Sequence, residues 1–333
     1  MSKSNREIEK LLNFNGVYDT YETIDDPNGT IHVFNNVILG NRKSENIVCL
    51  NGTYSVFTCV AHYFHFLKEY FAFHLYYKNN YDPGLKYLWM DHSGFHYPSY
   101  QNMLPVCDFV FDGMDISEGV RFPDTEMGNT AYLIEKLVVM FDSQKYIVTT
   151  NVKQSDYNGT PGLNKELREF YMKYAVKDES LPKKIFLTRK IVSQELPNHP
   201  GNTEAQYSWK RDQLRLRYNP PWLEDAIEQF FIDEGYELVQ LSGMTIPEQV
   251  NFFYNASHVA GLLGTAFYNG IFSRQWTKFT AVRVTPSYWY DFEGDIQSVV
   301  NVKFDYANVY EHVDTEQVRE FLTQTLKSRG RTI

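Results

Sequence analysis

His258-Val-Ala-Gly-Leu-Leu-Gly-Thr-Ala-Phe-Tyr-Asn-Gly-Ile-Phe272 is the stretch whose reading decides the fold. The apolar run 258–263 has the length and composition of a buried strand, and Gly264-Thr265 opens a helix behind it. A strand that passes through a glycine turn into a helix is the joint of an α/β unit. The same joint can bind a ligand. Glycine lets a phosphate approach the backbone, and the free N–H groups at the helix start carry partial positive charge. Asn269 is expected to face this turn one helical step later. Strand-to-helix turns of this kind are common, so a purely structural turn fits the stretch as well.

Working outward, the neighbouring segments repeat the alternation. Lys184–Leu187 reads as a strand ending in Thr188-Arg189-Lys190. Asn219-Pro220-Pro221 opens a helix that stops at Gly235, with Asn as N-cap and proline in the first turn. Tyr236–Leu241 is the next strand, and Thr245-Ile-Pro-Glu248 is a capping box for a helix to about Asn255. Thr280–Val284 reads as a strand, and Thr315–Lys327 as a helix burying Val318, Phe321, Leu322 and Leu326.

In the first half, strands are expected at 31–39, 46–50, 86–90, 108–111 and 145–149. Helices are expected at 56–77, 131–140 and 164–176. The turn-rich segment 155–163 suggests a boundary between two domains close by.

Composition narrows the function. The chain has 333 residues, 43% hydrophobic and 22% charged, which is ordinary globular composition. Aromatic residues reach 16%, with 25 Tyr and 24 Phe; they fill cores and can stack on sugars and bases. The net charge of −9 argues against a general nucleic-acid binder, which needs a basic field. Cys49, Cys59 and Cys107 are scattered, which fits a reducing compartment and forms neither a disulfide framework nor a zinc site. The N-terminal residues lack the apolar core of a signal peptide. The longest apolar stretch, 56–77, is too polar to span a bilayer. A cytoplasmic protein without a transmembrane segment is the expectation. Oligomeric state leaves no mark in the sequence.

Three groups of residues could carry chemistry. Around the glycine turn stand Gly264, Thr265 and Asn269. Arg189 and Lys190 follow a strand at its carboxyl end, where open α/β sheets bind ligands, and Arg215 sits in the loop before the next helix. Arginine suits a diphosphate because its planar fork donates two parallel hydrogen bonds. On the long first-half helix, His62, His65 and Glu69 are spaced to share a face. A histidine beside a carboxylate can act as a general base, whereas a buried histidine can equally be a satisfied core residue. The spacing alone would permit zinc, but further close ligands are lacking. Glu248 is expected to serve the capping box, leaving Gln249 freer to meet a ligand.

Several of these pieces, in this order, resemble glycosyltransferase family 61. Phe186-Leu-Thr-Arg-Lys190 resembles the family's strand ending in Ser-Arg-Arg, and Arg215 to Asn219 its Arg-Arg-Ile-x-Asn segment. Gly235-Tyr-Glu-Leu-Val239 with Pro247-Glu-Gln-Val250 resembles its Gly-x-x-Val and Glu-Gln-Val region. Residues 261–272 resemble its glycine-rich loop, and His65-Phe-Leu-x-Glu69 its His-x-Leu helix.

The resemblance implies a GT-B-like α/β fold: two Rossmann-like domains facing a cleft, with a C-terminal helix packing back toward the N-terminal domain. The implied domains are 1–175 on the acceptor side, 176–312 for the nucleotide-sugar, and 313–333 as helix and tail. It further implies an inverting transferase that moves a xylose- or N-acetylhexosamine-type sugar from a UDP-linked donor to a glycan or protein-linked acceptor, with no metal or other cofactor required. Donor contacts are expected from Arg189, Lys190, Arg215, Gln249, Gly264, Thr265, Asn269 and Arg283. The base is expected from the first domain: His65, with Asp91 and Asp112 as alternatives.

The chain departs from the family where Leu263 replaces the histidine of the glycine loop, Pro220 an acidic residue, and Arg283 a glutamate. Lacking the membrane anchor of eukaryotic members, it is expected in the cytoplasm of a bacterium or a virus-infected host cell. A catalytically inactive glycan-binding or assembly protein of the same fold stays open, as does a different α/β transferase or hydrolase using His62, His65 and Glu69.

Overall fold

The computed structural model describes residues 18–40, 46–57, 66–91, 119–123, 130–140, 161–188, 221–241, 244–284, 292–309 and 314–327. The chain divides into two compact units, the first holding most residues up to Leu167 and the second those from Arg168 on. Both are mixed α/β structures built on one sheet each.

In the first unit, β1 (Thr20–Asp26) and β2 (Gly29–Gly40) form an antiparallel hairpin. Its turn is closed by Asn28, whose backbone N–H and side-chain amide donate to Asp26 Oδ1 at 2.7 and 3.1 Å. Gly29 follows at φ 133°, a left-handed conformation that glycine adopts without strain. Next come β3 (Asn46–Phe57), a π-helix (Phe66–Phe71) that continues into α1 (Ala72–Asn80), β4 (Lys86–Asp91), β5 (Gly119–Pro123) and β6 (Thr130–Val139). The sheet order is β1-β2-β6-β3-β4-β5. β2 runs antiparallel to β6, whereas β6, β3, β4 and β5 are mutually parallel. This sheet is therefore mixed, and only its larger part is the parallel array expected. Its parallel order β5-β4-β3-β6 reverses between β3 and β6.

Three expectations for this half are corrected. Residues 131–140, expected as a helix, form the central strand β6. Thr130–Ile134 and Leu137–Val139 are buried, so apart from Glu135 and Lys136 both faces are largely apolar and the period that separates strand from helix is hidden. The helix expected from Val56 starts later, because β3 continues through Phe57 on the buried residues Tyr54, Ser55 and Val56. The third is β1, which was not anticipated: it is an edge strand, largely exposed and rich in polar residues. The strands expected at 108–111 and 145–149 lie outside the described residues.

Between the sheets in chain order, α2 spans Pro161–Met172. Among the described residues the second unit then alternates: β7 (Lys184–Leu187), α3 (Pro221–Asp233), β8 (Glu237–Val239), α4 (Ile246–Asn255), β9 (His258–Leu262), a 3-10 helix (Thr265–Phe272), β10 (Lys278–Arg283), α5 (Phe292–Gln297), β11 (Lys303–Asn308) and α6 (Thr315–Lys327). All of its strand pairs are parallel, in the order β11-β10-β9-β7-β8.

Local chemistry explains the element ends. Gly235, at φ 82°, ends α3 in a Schellman turn: its N–H donates to Ile232 O at 2.9 Å, and the N–H of Tyr236 to Phe231 O at 2.9 Å. The capping box of α4 forms as expected, with Glu248 accepting from the backbone N–H of Thr245 at 2.7 Å. One face of the sheet is covered by α3 and α6, whose Leu223, Ile227, Phe230, Val318, Leu322 and Leu326 pack on Phe186, Ala260, Leu262, Val282 and Ala307. The C-terminal helix, expected to pack back toward the first half, buries its apolar stripe in the second unit's own core.

Candidate donor site at the switch point of the second sheet

Counted in chain order, the five parallel strands of the second sheet lie 2-1-3-4-5, and the order reverses between β7 and β9. At such a reversal the connections leave to opposite faces, and a crevice opens outside the carboxyl ends of the two strands. β7 ends at Leu187 and β9 at Leu262, with Leu187 in register with Gly261. The two strands approach closely there: a Cβ on Gly261 would stand 3.0 Å from Leu187 Cβ and 3.1 Å from its carbonyl oxygen. The glycine is needed for that contact, since any side chain would push the strands apart.

Beyond β9 the N–H of Leu263 still donates to Val282 O at 2.9 Å. Gly264 follows, buried and fully extended at φ 176°, a conformation open to any residue. What glycine contributes at 264 is the missing side chain. Thr265, half-buried, opens the 3-10 helix, whose first internal bond runs from Phe267 N–H to Gly264 O at 2.9 Å. The leading N–H groups of a helix have no acceptor within it, and this helix starts just past the carboxyl end of β9. Gly264 and Thr265 therefore sit where the sequence placed them.

Gln249 and Asn269 are brought together by a side-chain hydrogen bond. Asn269 Nδ2 donates to Gln249 Oε1 at 2.8 Å, and Gln249 Nε2 donates to Met244 O at 3.1 Å. Asn269 is 0% and Gln249 4% exposed. The two amides tie the 3-10 helix to α4. Gly270, one residue on, packs so tightly that a Cβ would lie 2.5 Å from Ile296 Cδ1 of α5.

Arg283 is the last residue of β10, one strand from β9 and at the same carboxyl edge. Its guanidinium lies 4.1 Å from the centroid of the Tyr306 ring on β11, a cation–π contact that holds it to the sheet. Arg189, Lys190 and Arg215 lie outside the described residues. Thr188, the residue before Arg189, is anchored: its N–H donates to Val239 O at 3.0 Å, and its hydroxyl donates to Glu228 of α3.

Glu228 was missed by sequence reasoning. It is 4% exposed, and Glu224, one helical turn earlier, is 7% exposed. A signal was present: on a helical projection both acids flank the apolar arc of Leu223, Ile227 and Phe231, so they were placed to be buried beside the end of β7.

In the first unit, Asp91 closes β4 at the carboxyl edge of the parallel strands. His62, His65 and Asp112 lie outside the described residues. Glu69 is buried within the π-helix. Its neighbour Lys68 is buried too, at 6% exposure. Among the described residues no group of three or more His, Cys, Asp or Glu could hold a metal ion. No described helix is long and apolar enough to cross a membrane.

The family model for Glycosyltransferase 61 matches residues 63–280, which run from just before the π-helix through the glycine turn and into β10. No curated protein matches the chain.

Proposed function

The chain belongs to glycosyltransferase family 61, and from that premise we propose that it is an inverting enzyme whose donor pyrophosphate is held at the Gly264-Thr265 turn. The proposal takes a UDP-linked xylose or N-acetylhexosamine as donor, a glycan or protein-linked hydroxyl as acceptor, and the GT-B arrangement that the resemblance implies. The observation that carries it is the coincidence of the turn with the β7–β9 switch point, inside the part of the chain that the family model matches.

In this reading the N–H groups of Thr265 and Ala266 donate to phosphate oxygens, and Arg189, Lys190 and Arg215 add charge from the β7 side. Arg283, where the family has a carboxylate, favours phosphate or an acidic sugar. The acceptor hydroxyl oxygen attacks the anomeric carbon from the face opposite the donor phosphate. The carbon–oxygen bond to phosphate breaks, its electron pair leaves on the diphosphate, and the acceptor proton passes to a base in the first unit: His65, Asp91 or Asp112. Charge that grows on the diphosphate is met by donors already aimed at it, the arrangement that stabilises a transition state most.

A second reading keeps the binding site and loses turnover. Its support is Leu263, which is 7% exposed and packed in the core where the family carries a histidine. One experiment separates the two. Thermal unfolding is followed with UDP-, GDP- and CMP-sugars, and donor hydrolysis and transfer are then assayed with the nucleotide that stabilises. Stabilisation with turnover supports the enzyme. Stabilisation without turnover favours the inactive relative, and a flat response to every nucleotide removes the donor site. Arg189→Ala should weaken donor binding by about 1.5–3 kcal/mol, the scale of a hydrogen bond to a charged group; unchanged affinity in a titration would take Arg189 out of the site.

A further inference from the structure

The opposite edge of the second sheet carries a feature for which the donor site has no use. Lys184, His258, Lys278 and Lys303 are the first residues of β7, β9, β10 and β11, and they lie in register across the sheet. In-register residues of neighbouring parallel strands point to the same face, and strands are about 4.8 Å apart, so the row runs for about 14 Å. Like charges set side by side oppose sheet formation, and the chain as a whole is acidic at −9. A straight row of basic side chains is therefore costly and gains from an anion.

Lys184 is partly engaged: its ammonium donates to Glu234 O at 3.0 Å and lies 5.4 Å from the Tyr236 ring centroid. Lys278 is half-buried and Lys303 exposed. His258 is the informative member. Ser257 Oγ donates to Lys183 O at 3.0 Å and lies 2.9 Å from His258 Nδ1. With its hydroxyl proton committed, the serine can only accept from the ring, so Nδ1 carries the imidazole proton. That leaves Nε2, which is buried and has no hydrogen-bond partner among the described residues. Burial first, then Lys278 and Lys184, hold the His258 pKa below its ordinary value. Among the described residues, Asp305 lies two residues along β11 from Lys303 on the same face, and Glu234, whose backbone oxygen accepts from Lys184, ends α3 beside the row.

Trp276 stands at this edge as well, two residues before Lys278. Its side chain is 67% exposed, and its backbone sits at φ 70°, held by a hydrogen bond from its N–H to Asn301 O at 2.6 Å. A bulky residue in the left-handed region is uncommon and costs free energy, so the exposed indole is held there against its preference.

We propose that this edge binds the phosphate group of a phosphorylated saccharide, with Lys278, Lys303 and His258 Nε2 on the phosphate and Trp276 offering an aromatic face to the sugar. Binding protonates His258, which then donates from Nε2 to a phosphate oxygen. The site lies a strand length, about 16 Å, from the switch-point edge, so it stands or falls separately from the donor reading.

The test follows the His258 ring signals by NMR while hexose phosphate or inorganic phosphate is added at low salt, where such contacts are least screened. Hexose phosphate should raise the His258 pKa by about one unit, the scale of one added ionic partner. It should also bind more tightly than inorganic phosphate, and Trp276→Ala should remove that difference. The double substitution Lys278→Gln with Lys303→Gln should weaken binding about tenfold or more, as loss of charged contacts requires, while UDP-sugar binding by the same folded protein stays unchanged. Silent His258 signals, or equal binding by the glutamine variant, would overturn the site. Equal affinity for the two phosphates would overturn the saccharide assignment.

Discussion

Asn269→Ala is the substitution that most directly joins the fold of the second unit to its proposed chemistry. It removes the amide that donates to Gln249 Oε1 at 2.8 Å and leaves that oxygen in a site where Gln249 is 4% exposed. A buried acceptor deprived of its donor costs about 1–3 kcal/mol. In a unit of this size each kcal/mol lowers Tm by about 2–4 °C, so a fall of about 2–12 °C is expected. The 3-10 helix loses its tie to α4, its first turn is no longer aimed, and nucleotide affinity should drop about tenfold, or 1.4 kcal/mol. Urea unfolding and nucleotide titration measure the two effects. A double-mutant cycle with Gln249→Ala should give a coupling of at least about 0.5 kcal/mol. Strict additivity, or an unfolding midpoint that does not move, would refute the tie. Lost stability with full affinity would show that the amide pair has no part in setting the site.

Three further outcomes are expected. Gly264→Val should abolish nucleotide binding in titration while leaving the circular-dichroism spectrum near wild type, because the backbone at 264 is already extended; the site is buried, so the added side chain should also lower the unfolding midpoint. Glu248→Gln should change stability by less than about 0.5 kcal/mol, since glutamine also completes a capping box; a large loss of activity at normal stability would give Glu248 a role beyond the cap. The third concerns His74, buried beside Ser55 Oγ at 2.7 Å, with its pKa pushed down to about 3 by burial first and then Lys78. Its folded pKa lies below the ordinary 6.5, so its stabilising contribution is complete above pH 6.5 and is lost as pH falls toward 3. Between those limits wild type should lose about 1.4 kcal/mol per pH unit from this group, a slope that His74→Gln should lack in urea titrations at pH 6 and pH 5.

The second half of the chain was legible because its local signals agree. α6 spans Thr315–Lys327, as its apolar spacing required, and α3 and α4 begin and end at the proline, glycine and capping-box residues that marked them. In the first half the signals conflict. β6 is largely apolar on both faces apart from Glu135 and Lys136, so it has no visible period, while β1 is polar because it lies at an edge. The π-helix at 66–71 stands where the sequence pattern suggested a regular α-helix. Within the site, glycine turns and strand ends can be read from sequence, so Gly264, Thr265 and Arg283 fell at the carboxyl edge. Direction into the core cannot. Gln249 and Asn269 have the composition of ligand contacts, and only packing shows that their amides bond each other. Glu228 carried a signal in its place beside the apolar arc of α3, but only the structure shows the Thr188 hydroxyl that it accepts from.

The central claim is that backbone donors at the start of the 3-10 helix hold the donor pyrophosphate, and a crystal structure with UDP bound tests it most directly. Phosphate oxygens within hydrogen-bond distance of the Thr265 and Ala266 N–H groups are the predicted result. UDP bound elsewhere, with side chains packed over Gly264, would contradict it.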